Sequence, residues 1–128
     1  MVEQVKNPIT APRRQLGQAR PAVTTAVTAW NVPYFGQYDI HLINVVNTST
    51  SETIAISIFH DPDGTTYDLD TALVYEYSLG PGDVFQFEAR GSVNGYLNSG
   101  SIGVQSDTAD AANFKIYGAL QGETVVPV

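Results

Sequence analysis

The chain is expected to fold as an all-β sandwich of about seven or eight short strands. Apolar residues recur at every second position in short runs, and compact turn sequences separate those runs. No stretch of ten or more residues carries helical periodicity. With 128 residues, there is material for one domain with a single core.

Residues 1–21 stand outside this pattern. Pro8, Pro12 and Pro21 fix the backbone and remove donors, and neither alternation nor a helical stripe is present. The segment is read as an extended N-terminal arm, with the sandwich occupying residues 22–128.

Val23, Thr25, Val27 and Ala29 alternate with Thr24, Ala26, Thr28 and Trp30, which predicts the first strand. An aromatic loop, Asn31–Gly36, leads to the apolar run Ile40–Val46. Thr53–Phe59 then places Ile54, Ile56 and Ile58 on one face. The polar stretch Asn47–Glu52 lies between them, so the two runs are expected to pair as a central hairpin. Asp61-Pro62-Asp63-Gly64 is a turn, and the sequence to Thr71 a polar loop. Leu73, Tyr75, Tyr77 and Leu79 form the next alternating face, with the tyrosines read as core. Gly80–Asp83 is a tight turn before Phe85 and Phe87, and 89–95 is a loop. Ile102 and Val104, then Phe114, Ile116 and Gly118, mark the last strands, and 123–128 could add a short edge.

The net charge of −7 is unevenly spread. Lys6, Arg13, Arg14 and Arg20 face Glu3 alone in residues 1–20, a net +3 that leaves −10 on the remainder. A basic arm on an acidic body implies a separate partner for the arm. There are no cysteines, which excludes a disulfide framework and a thiolate site. The opening residues lack a signal-peptide core, and no apolar run approaches membrane-spanning length, so a soluble protein made in a cytoplasm is expected.

Three stretches carry a resemblance. Ile43–Ser49 is a strand ending in Asn-Thr-Ser, Tyr77–Asp83 contains a Leu-x-x-Gly-Asp turn, and Leu97–Ser106 followed by Phe114–Gly118 reads as a closing hairpin. In these the body, from about Val23 to Gly118, resembles the small jelly-roll virion proteins of tailed bacteriophages. The resemblance implies a jelly-roll-like sandwich and a structural place on the particle. Capsid decoration (cement) proteins of this kind are often homotrimers at symmetry axes of the shell.

Catalytic signals are weak. His41 and His60 are the two histidines, His60-Asp61 is no triad, and no Gly-x-Ser-x-Gly elbow exists. No glycine-rich loop opens a helix. Asp61, Asp63, Asp68 and Asp70 could attract calcium, but Asp-Pro-Asp-Gly already explains itself as a turn. Trp30, Tyr34, Phe35, Tyr38, Tyr75 and Tyr77 could build a sugar-stacking platform. Tyr34 and Phe35, flanked by Pro33 and Gly36, read instead as an interface anchor. Asn47-Thr48-Ser49 matches a glycosylation sequon that a turn also produces. Four cations without interleaved aromatics make a poor nucleic-acid binder.

The expected function follows. The protein is read as a non-enzyme without cofactor or metal: a capsid decoration protein on the outer surface of a phage head. Its partners would be the major capsid protein and copies of itself, a trimer being favoured, with neither nucleic acid nor membrane. Lys6, Arg13, Arg14, Arg20, Tyr34 and Phe35 are the expected partner-binding residues. A neck, tail or baseplate component, or a carbohydrate-binding module, is the alternative.

Overall fold

The computed structural model describes residues 4–6, 13–32, 36–88, 91–94 and 100–125. Within them run ten strand segments: β1 Gln4–Lys6, β2 Arg14–Ala19, β3 Val27–Asn31, β4 Gly36–Asn47, β5 Ile54–Asp61, β6 Ala72–Leu79, β7 Val84–Phe87, β8 Gly91–Asn94, β9 Ser101–Ser106 and β10 Ala112–Val125. Every pairing is antiparallel. One sheet is built on β10 beside β4, and the other runs β3-β9-β5-β6.

The first sheet has interrupted edges. β2 lines Phe114–Gly118 of β10 and β1 lines Glu123–Val125. On the far side, β7 lines Ile43–Val46 of β4 and β8 lines Gln37–Ile40. If each broken edge is taken as one strand, the first pairs with the eighth and the second with the seventh. The third then pairs with the sixth, and the fourth with the fifth. That nesting is a jelly roll, the fold class expected from the sequence.

Pairing partners differ from expectation. β4 and β5 do not form a hairpin; they lie in opposite sheets. Ile43 and Val45 on β4 and Ile54, Ile56 and Ile58 on β5 are at most 1% exposed. Facing each other across the interior removes both rows from water, which pairing side by side in one sheet would not do. β9 and β10 are separated in the same way. Among the described residues, β5 and β6 are the only consecutive strands that pair.

The sandwich also begins earlier than residue 22. Arg14–Ala19 is a strand of the first sheet, while residues 22–25 only bend. An edge strand is held by its backbone ladder and needs no alternating apolar face, so composition did not reveal it. Leu16 and Ala19 still pack against the core. Gly17 permits close approach of the sheets there, because a Cβ would lie 2.7 Å from Trp30 Cβ. At the other end, residues 123–125 extend β10 rather than adding an edge, and the expected 89–95 loop contains β8.

The inward face of β6 is misphased relative to the sequence. Ile58 pairs with Val74 and Ile56 with Tyr77, leaving Tyr75 and Glu76 opposite Ser57 alone. This is a bulge, and Glu76 adopts φ 51° within it. Leu79 is buried, but Tyr75 is 52% and Tyr77 45% exposed, so neither tyrosine is core. Tyr77 stacks on Phe85 with ring centroids 4.3 Å apart, closing the seam between the two sheet edges.

Candidate functional site

The cations read as partner-binding residues are spread along the sandwich, and two of them are bonded to it. Arg13 Nε donates to His41 Nδ1 at 2.8 Å. His41 is the extra residue where β4 skips register against β10, between Ile40 and Leu42. Arg20 donates through Nε and Nη2 to the Asp110 carbonyl, at 3.0 and 2.7 Å. The Asp110 N–H returns a bond to the Pro21 carbonyl at 2.8 Å, which holds Asp110 at φ 59°. Arg14 is exposed on β2, and Lys6 lies on β1 opposite Glu123. Tyr34 and Phe35, like residues 7–12 of the arm, lie outside the described residues.

Arg20 also borders a cleft of about 340 Å³ with Thr48, Ser49, Thr50, Glu52 and Asp110. Its hydroxyls mostly serve the loops. Thr48 Oγ1 donates to the Ala111 carbonyl, and Ser49 Oγ accepts from the amides of Ser51 and Glu52. None of its described lining residues is aromatic. The aromatics considered for sugar stacking are divided instead: Trp30 packs edge-on to Tyr38, 5.2 Å apart, while Tyr75 and Tyr77 stand on β6.

The acidic stretch is a bonded loop. Asp61 Oδ1 accepts from the Asp63 amide at 3.2 Å and Oδ2 from the Thr66 amide at 2.7 Å. These bonds, that from Thr66 first, lower the Asp61 pKa by favouring its charged form. Asp68 Oδ1 accepts from the Asp70 amide, and Thr71 Oγ1 donates to the Thr66 carbonyl. Among the described residues, no group of three or more His, Asp or Glu side chains is placed to hold a metal ion. His60 pairs with inward Ile102 and Asp61 with Ser101, so the two side chains leave β5 on opposite faces. Burial lowers the His60 pKa.

Tyr67 is the structural anchor that sequence reading missed. Its hydroxyl bonds Thr28 Oγ1 and Ser101 Oγ, each at 2.7 Å, and Ser101 Oγ donates to the Gly64 carbonyl at 2.6 Å. The ring lies over Gly103, where a Cβ would meet it at 2.5 Å, and 5.9 Å from the Phe59 ring. Loop 62–71 thereby covers the outer face of the second sheet and buries Phe59. A glycine in the middle of β9 was the available signal.

Six large apolar side chains stay exposed among the described residues, three of them close together in sequence. Leu69 in the loop, and Leu73 and Tyr75 on β6, are 70%, 44% and 52% exposed.

No family model matches the chain, and no curated protein matches it. Among solved structures it is similar to a chain in the crystal structure of the T13 IBDV viral particle. The TM-score is 0.52 and the identity 6%, with the match covering 89% of this chain. It spans about a third of the other chain's length, 32%. At that identity the likeness is one of fold.

Proposed function

We propose that this protein is a virion structural component, a decoration protein that binds the outside of a capsid and stabilises it. The observation carrying this reading is architectural. The jelly roll takes up nearly the whole chain, and a chain of a viral particle shares it over 89% of this sequence. The loops at its ends are bonded to themselves, as the 48–52 and 61–71 segments illustrate. His60 and Asp61 diverge rather than converge. The reading is of a role in assembly, with the major capsid protein as the proposed partner and a homotrimer as the favoured state.

The basic N-terminal region is proposed to contribute to that binding. Arg13 and Arg20 tie the N-terminal region to the sandwich, and Arg14, exposed on β2, is the cation proposed for outward contact. The test is co-sedimentation of the purified protein with tail-free heads lacking it. Saturable binding with a rise in the heads' melting temperature is expected. Binding confined to isolated tails would point to a neck or tail component instead.

A further inference from the structure

Leu69 is displayed by a turn that is bonded on both sides. The Asp68 amide donates to Thr71 Oγ1 at 3.0 Å, and the His60 amide takes the Thr71 carbonyl at 2.8 Å. An exposed leucine held this firmly loses little freedom when a partner covers it. Leu73 and Tyr75 follow on β6, each at a register shift against β5. In the second shift the Glu76 N–H donates to Ser57 Oγ at 2.9 Å. Bulges of this kind protect an edge strand from strand addition. The edge is thus guarded against backbone pairing while its large apolar side chains remain outside, which marks a side-chain docking face.

Charge selects the occupant. Asp68, Asp70 and Glu76, all exposed, flank the three apolar residues in sequence. A second copy's body, at a net −10 over residues 21–128, offers few cations to meet these carboxylates. We propose that Leu69, Leu73 and Tyr75 dock into an apolar socket bordered by arginine or lysine side chains on a different protein. Under the functional reading above, on which the choice of partner rests, that protein is the shell subunit.

The experiment uses the full chain and purified heads lacking it. Leu69→Ser/Tyr75→Ser is compared with wild type and with Val23→Ser, an exposed apolar site on another segment, after thermal melts confirm folding. The double variant should need at least about tenfold more protein for half-saturation, while Val23→Ser matches wild type. Asp70→Asn/Glu76→Gln should bind more weakly and lose part of the salt sensitivity. If wild type binds and the double variant binds equally well, the docking face is wrong and the functional reading survives. If wild type does not bind heads at all, the functional reading fails and its partner with it. If instead the double variant abolishes self-association in sedimentation, a second copy occupies the face and the proposal is overturned.

Discussion

The Asn47 side-chain amide donates to the Leu79 carbonyl at 3.0 Å, joining two residues 32 positions apart in opposite sheets. The same nitrogen serves the carbonyls of Glu52 and Gly80, at 2.8 and 2.9 Å, and Oδ1 accepts from the Ser49 amide at 3.0 Å. One fully buried side chain thus fastens two of the connections that cross from sheet to sheet at this end, β4 to β5 and β6 to β7. It also closes the Asn47-Thr48-Ser49 sequon to any glycosyl transfer in the folded protein.

Asn47→Asp is nearly isosteric but replaces the donor with a carboxylate facing carbonyls. It should cost about 3 kcal/mol or more, read as a lower urea midpoint. An unchanged midpoint would show that the connections hold without it.

Gly103→Ala should push Tyr67 off the outer face of the second sheet. A loss of about 1–3 kcal/mol is expected, accompanied by faster proteolysis within residues 62–70. Tyr67→Phe keeps the ring and drops only the hydroxyl bonds, so it should cost about 1 kcal/mol. Equal effects of the two variants would place the weight on the hydroxyl rather than on the packing.

Acid should destabilise the fold in two windows. Burial depresses the His60 pKa below its ordinary 6.5, so the unfolded chain takes up a proton first as pH falls. Stability is then full above about pH 6.5 and declines below it. The Asp61 pKa lies below its ordinary 3.8, held there first by the Thr66 amide, so its contribution is lost only in stronger acid. His60→Leu should flatten the urea midpoint between pH 7.5 and 5. If that variant retains the full wild-type decline, burial of His60 is not its cause.

Truncation separates the arm from the sandwich. Removal of residues 1–12 takes away only the three-residue β1 and should lower the melting temperature slightly. Removal of residues 1–20 takes away β2 and exposes the edge of β10, so it should lower the melting temperature and promote aggregation. A stable, soluble chain lacking residues 1–20 would show β2 to be dispensable.

Sequence periodicity read the strands better than their partners. Ile54, Ile56 and Ile58 announced a buried face, but alternation says only that something covers it, not which sheet does. β2 escaped because its contribution is the ladder to β10, carried by a stretch reading Arg-Gln-Leu-Gly-Gln-Ala. The tyrosines of β6 were assigned inward because a bulge, which no single residue at Glu76 announces, resets the phase. Of the candidate site, the surplus cations were legible, but their destinations were not. Arg13 and Arg20 find a histidine and a carbonyl 28 and 90 residues away.

The claim that the protein coats a capsid is tested most directly by imaging particles with and without it. A low-resolution difference map should show density repeated over the whole outer shell at symmetry-related positions. Density confined to the neck or tail, or no difference on the head, would contradict the account.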